Sequence, residues 1–240
     1  MPKSYKITHT DVFDSTAFPR EGLNFTKQMS LPATVPGPET KIYLSDFETH
    51  VRDYIAYCID HEYSVSMSGR LYDDGRPFSK FIAKGKIMAY QSQQENTMLL
   101  CGKKADVLDF CRNTKTSTHI KLTVLRVDME ALQEKLVEVR GGWFRSRAGY
   151  MGSQIQDTPE FIAAKAEGSI STLSFYFEDA RSGELPHPIL ITEDGTVVLQ
   201  RNYRHVDEEL EFVLYIKTQL LDGICEAIEV GKSKAAITGL

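Results

Sequence analysis

The sequence has no closely spaced cysteine pair, no long apolar run, no glycine-rich phosphate loop and a single tryptophan. The first three absences each remove a class of chemistry. Cys58, Cys101, Cys111 and Cys225 stand far apart, whereas zinc ribbons and thioredoxin-like redox motifs need two thiols within a few residues, so neither is expected. All four are read as reduced thiols, with Cys58 packing as a small hydrophobe. No stretch reaches the roughly 20 apolar residues of a membrane-spanning helix. The opening Met1-Pro2-Lys3-Ser4-Tyr5-Lys6 lacks the apolar core of a signal peptide. A soluble, cytoplasmic protein without membrane association is the expectation.

Phosphate-binding motifs fail on inspection. Gly141-Gly142 runs into Trp143, and Gly231-Lys232-Ser233 ends like a P-loop, but Glu226 stands where the first glycine belongs. There is no Gly-x-Ser-x-Gly elbow. The histidines, His9, His50, His61, His119, His187 and His205, are scattered without metal-ligand spacing. No catalytic residue, cofactor or metal ligand is therefore assigned. Asp73-Asp74, as paired carboxylates for a divalent cation, and His205 beside Asp207-Glu208 keep a metal-dependent hydrolase as an alternative. Turn chemistry and a helix start explain the same residues plainly.

What is present is an ordinary globular composition: 42% hydrophobic and 25% charged residues over 240 positions, enough for a real core. The net charge of −5 is unevenly spread. Residues 1–150 hold 21 Lys+Arg against 18 Asp+Glu, and residues 151–240 hold 7 against 15. The first part is thus mildly basic and the second acidic, so a partner meets different fields at different places.

Periodicity and punctuation predict an α+β fold of antiparallel sheets covered by helices, in two modules. Residues 1–40 read as an irregular arm, because Leu31-Pro32-Ala33-Thr34-Val35-Pro36-Gly37-Pro38 forbids regular structure. The first module spans 41–140. It opens with a helix from Ser45-Asp46, with Glu48 at capping-box spacing and Phe47, Val51, Tyr54, Ile55, Cys58 and Ile59 on one face. Strands follow at Ser64–Leu71, Phe78–Tyr90 and Met98–Cys101, then a helix at Lys104–Arg112, a strand at His119–Val124 and a helix capped by Asp128.

The second module, 158–225, begins at Thr158-Pro159, an N-cap with proline at the first helical position, and that helix stops at Gly168. A strand covers Ser171–Phe177, a hairpin turns at Glu193-Asp194-Gly195, and a long helix opens on Asp207-Glu208-Glu209. The shared order of helix, three strands and helix suggests an αβββα pseudo-repeat. Residues 226–240 read as a tail.

The connection at 141–157 and the residues before it hold the least ordinary composition. Arg140, Trp143, Phe144, Arg145, Arg147 and Tyr150 stand among three glycines with no acid. Trp, Tyr and Arg are the side chains that dominate protein interfaces, and the expectation is a non-enzymatic binding or regulatory protein contacting a macromolecular partner, most simply a protein, through them. The same kit of arginine and aromatic faces suits single-stranded nucleic acid, helped by Lys84, Lys86, Lys103 and Lys104. A structural reading has Trp143 and Phe144 plugging the core while the arginines pair with the acidic second part.

Overall fold

A computed structural model describes residues 3–17, 38–47, 49–51, 53–70, 75, 77–136, 142–147, 151–152, 158–178 and 185–228. In chain order the strands are β1 (Lys3–Phe13), β2 (Thr40–Leu44), β3 (Tyr54–Arg70), β4 (Pro77–Ser92), β5 (Thr97–Cys101), β6 (Ile120–Val127), β7 (Gly142–Ser146), β8 (Met151–Gly152), β9 (Ile170–Phe177), β10 (His187–Thr192), β11 (Thr196–Leu199) and β12 (Cys225–Ile228). The helices are α1 (Lys104–Asn113), α2 (Met129–Lys135), α3 (Pro159–Ala166) and α4 (Val206–Ile216), the last continuing into a π turn at Lys217–Leu221. The fold is α+β and its sheet is antiparallel. The 12 strands of the described residues join one sheet, in the order β2-β3-β4-β5-β1-β11-β10-β9-β7-β8, with β6 pairing with β1 and β12 with β6.

Residues 3–13, expected to be irregular, are the strand that joins both parts of the sheet. One edge of β1 pairs with β5 from Tyr5 to His9. Its other edge is shared: Lys3–Lys6 pair with β11, and Thr8–Phe13 pair with β6. The sheet forks there. The Glu193-Asp194-Gly195 turn, predicted from its sequence, closes the fork. Ile7 N–H donates to the Gly195 carbonyl at 3.1 Å and Val127 N–H to the Glu193 carbonyl at 2.8 Å. Gly195 has φ +74°, and a Cβ there would lie 3.0 Å from the Leu125 carbonyl oxygen, so this turn requires glycine on both counts.

Alternation assigns the two faces of the sheet. Leu99, Tyr5, Ile7, Val197, Ile189, Ile191, Leu173, Phe175 and Phe144 form one core with Leu210, Phe212, Val213 and Ile216 of α4, and with Leu132 of α2 and Ala164 of α3. On the opposite face Tyr57, Ile59, Ile87, Met98, Leu100 and Leu122 pack under Val107, Phe110 and Cys111 of α1. At about 1.5–3 kcal/mol per fully buried large apolar side chain, these two layers dominate the stabilisation.

The helix expected from Ser45 is absent. Ser45 Oγ accepts from Phe47 N–H in a local turn, Asp53 has φ +66°, and β3 begins at Tyr54. Tyr54-Ile55-Ala56-Tyr57-Cys58-Ile59 is covered on both faces, so its apolar run has no clean two-residue period, and its β-branched and aromatic content decides for strand. The first stretch therefore opens with strands, and the αβββα order is not repeated. Residues 225–228, expected within or beside a tail, pair with β6. The strand expected at Ser64–Leu71 in fact begins at Tyr54, and Leu71 lies outside the described residues. The helix caps hold: Asp128 Oδ1 caps α2 by accepting from Glu130 and Ala131 N–H, Thr158 Oγ1 caps α3, and Gly168 ends the α3 segment at φ +58°.

Candidate functional site

Within the expected connection at 141–157 the described residues include a strand, β7. Gly142–Ser146 pair with β9, and Phe144 and Arg145 pair with β8. Strand alternation divides the singled-out side chains. Phe144 is fully buried and meets Phe161 of α3 edge-on, with ring centroids 5.1 Å apart. Trp143 is half-buried and Arg145 exposed on the other face. Arg147 follows the strand and grips Glu193 as a fork, its Nε donating at 2.9 Å and Nη2 at 2.5 Å. The Glu193 hydrogen bond holds the Arg147 guanidinium above its ordinary pKa, against a smaller opposing effect of burial. Arg140 and Tyr150 lie outside the described residues. Plugging of the core is thus seen for Phe144, and pairing with the acidic second part for Arg147.

Trp143 and Arg145 share their sheet face with residues that sequence proximity does not reveal. Trp143 pairs with Ser174, Ser174 with Leu190, Leu190 with Val198 and Val198 with Ser4. Tyr176 and Pro188 form the next row, and Tyr176 is 54% exposed. Among the described residues, α1 contacts β3, β4 and β6, while α2 contacts β9 and both α3 and α4 pack with the core on the opposite face. This leaves the Trp143–Tyr176 face of β7, β9 and β10 uncovered by those helices.

Two cavities adjoin the Glu193-Asp194-Gly195 turn. One, of about 240 Å³, is lined by Arg126, Arg147, Lys165, Glu130, Gln133 and Glu193, among others. There Arg126 adds a second ion pair to Glu193 at 2.7 Å. The other, of about 250 Å³, has Leu100, Val107, Leu108 and Val198 as apolar walls and Ser4, Lys6, Lys104, Thr192 and Thr196 as polar ones. Lys6 is only 3% exposed; its Nζ donates to the Asp194 carbonyl and lies 3.4 Å from the Asp194 carboxylate. Lys104 reaches the same carboxylate at 3.2 Å. Burial lowers the Lys6 ammonium, and Asp194 partly restores it. Burial raises Asp194, but Lys6, the Thr192 and Thr196 hydroxyls and Lys104 together outweigh that and hold it below the usual carboxylate range.

A third arrangement has the geometry of a nucleophile, base and acid. Thr40 Oγ1 lies 2.7 Å from His61 Nδ1, and His61 Nε2 lies 3.0 Å from Asp109 Oδ2. Thr40 and His61 are each 1% exposed, and neither lines a cavity described above. The network joins β2, β3 and α1, and desolvation lowers the His61 pKa despite Asp109.

The remaining candidates separate. Asp73 and Asp74 lie outside the described residues. His205 occupies the N-cap position of α4 with Asp207, Glu208 and Glu209 in the first turn, as a helix start. Among the described residues no three His, Cys, Asp or Glu side chains are placed to hold a metal ion, and no helix is long and apolar enough to cross a membrane. Lys84 pairs with Glu62 at 2.8 Å and Lys104 with Asp194. β4, which carries Lys84 and Lys86, lies six strand steps from β7, about 29 Å at ~4.8 Å per step. Comparison with protein-family models, with curated proteins and with solved structures finds no match to this chain.

Proposed function

We propose that this is a non-enzymatic recognition protein that binds a protein partner through the open face of β7, β9 and β10. The observation that carries the reading is the grouping of Trp143, Tyr176, Pro188 and Leu190 on a sheet face that the described helices leave uncovered, with Arg145 at its margin. Aromatic anchors held on a rigid element with an arginine beside them are the composition of an interface centre. Its backing is firm, because the same strands bury Phe144, Leu173, Phe175 and Ile189 on the reverse. A nucleic-acid reading needs a continuous cationic track. Arg145 and the lysines of β4 lie on strands too far apart to make one.

The test replaces Tyr176 with a photo-cross-linking phenylalanine in the native cell. A nuclease-resistant protein adduct of defined mass, lost when Trp143→Ala is added, is the expected result. An adduct that nuclease removes, or none at all, overturns the protein reading. In parallel, the sole tryptophan reports on its own surroundings: single-stranded oligonucleotides at low salt are expected to leave Trp143 fluorescence unchanged.

A further inference from the structure

We propose that the cavity beside Lys6 binds a small carboxylate with an apolar tail. This goes beyond macromolecular recognition and does not depend on it. Three observations converge. The walls are apolar over Leu100 of β5, Val198 of β11 and Val107 and Leu108 of α1, and therefore favour a hydrocarbon group. The polar side carries two ammonium groups that share one carboxylate: Lys6 and Lys104 both pair with Asp194, leaving one positive charge in excess. Lys6 is also held almost out of water, and an ammonium so placed gains from a second anion far more than a surface lysine does.

The ligand class follows from matching these features. A single carboxylate balances the excess charge, whereas a phosphate dianion exceeds it. The carboxylate oxygens accept from Lys104 Nζ and from the ammonium of Lys6, which has three donors against the single acceptor residue Asp194. The Thr192 and Thr196 hydroxyls already donate to Asp194 Oδ1 and fix that carboxylate in place, which keeps both lysines aimed at the polar end. Leu100 and Val107, both buried, floor the tail end. The apolar wall discriminates against small inorganic anions, which bring charge and nothing to fill the space.

The full chain is titrated with the straight-chain monocarboxylates from acetate to decanoate, by calorimetry and by ligand-observed NMR, with hexanol and hexylammonium as controls at the same ionic strength. Affinity is expected to rise about fourfold per added methylene, the equivalent of about 0.8 kcal/mol per buried CH₂, until the tail outgrows the cavity. Hexanol should bind at least tenfold more weakly than hexanoate, and hexylammonium not at all. Lys104→Gln, at a side chain 62% exposed and therefore safe for folding, should weaken every acid several-fold and leave the increment per methylene unchanged. Leu108→Trp fills the cavity and should abolish binding. Equal affinity for hexanol and hexanoate, a series flat in chain length, or hexanoate binding that survives Leu108→Trp would each overturn the proposal. None of these results bears on the Tyr176 cross-link, so the two readings fail separately.

Discussion

Replacing Phe144 by alanine separates the two aromatic neighbours that the sequence sets side by side. Phe144 is 0% exposed, and its removal empties a space between β7, β9 and α3. Truncating such a phenylalanine costs about 3–5 kcal/mol. Of this, the edge-on contact with Phe161 accounts for about 0.5–1.5 kcal/mol, which the coupling between Phe144→Leu and Phe161→Leu should report. Trp143 lies on the opposite face, half-buried, so Trp143→Ala should cost less than about 1.5 kcal/mol. With a urea m value of about 2.5 kcal/mol/M, the midpoint falls by more than ~1 M for Phe144→Ala and by less than ~0.6 M for Trp143→Ala. Unfolding is followed by far-ultraviolet circular dichroism, since the second variant removes the only tryptophan. Equal losses for the two variants, or a loss below ~1 kcal/mol for Phe144→Ala, would refute the assignment of faces and with it the open surface.

Gly85 admits Asp106 of α1: a Cβ there would sit 2.4 Å from Asp106 Cγ, and Asp106 is held by the Tyr63 hydroxyl at 2.9 Å. Gly85→Ala should therefore destabilise by about 1–3 kcal/mol in urea unfolding, and Asp106→Ala in the same chain should recover part of that loss. His61, packed against Tyr63, Phe110 and Asp109 with Asp106 nearby, has its pKa lowered by burial, so below about pH 6.5 the unfolded chain takes up a proton that the native state resists. Stability should fall as pH falls there, by at most about 1.4 kcal/mol per pH unit, and His61→Gln should lose that slope. If both slopes agree, His61 is not the group. Burial pushes the Cys111 thiol up to about 12, so a thiol reagent at pH 8 should modify it only in denaturant. Native labelling within tenfold of the denatured rate contradicts its burial on the inner face of α1.

Local chemistry made much of the fold legible. Asp128, Thr158-Pro159, Gly168 and Asp194-Gly195 each satisfy a backbone requirement within a few residues, and the structure uses every one as expected. The failures have different causes. Tyr54–Ile59 is a strand covered on both faces and lacks the alternation that marks a half-buried strand. In β1, by contrast, Tyr5 and Ile7 do alternate with Ser4, Lys6 and Thr8, and it is the prolines beyond it that make the segment read as an arm. In β1 the inward polar side chains also find distant partners: Lys6 at Asp194, Thr8 at the Met98 carbonyl and Thr10 at Gln91. Nothing near them in sequence announces those partners. The candidate surface was legible only in its β7 portion, because Trp143 and Arg145 are unusual by composition, whereas Tyr176, Pro188 and Leu190 join them through strand register alone.

The fork in the sheet explains why charge concentrates where it does. Two strands leaving one edge of β1 in sequence open a gap that a hairpin turn must fill, and a tight turn of that kind is built from acidic residues and glycine. Glu193 and Asp194 are thereby held half-buried at the fork, where a carboxylate gains from nearby cations and hydrogen bonds. The fold supplies them from four separate elements: Arg126 from β6, Arg147 after β7, Lys6 from β1 and Lys104 from α1. Each cation spans a junction that backbone pairing leaves open, so the pairs connect the branches. Side chains that must reach into such a gap cannot also fill it, and a cavity remains beside each carboxylate. The cavity at Lys6 is therefore a consequence of the topology, and its mixture of apolar wall and surplus positive charge follows from where the sheet divides.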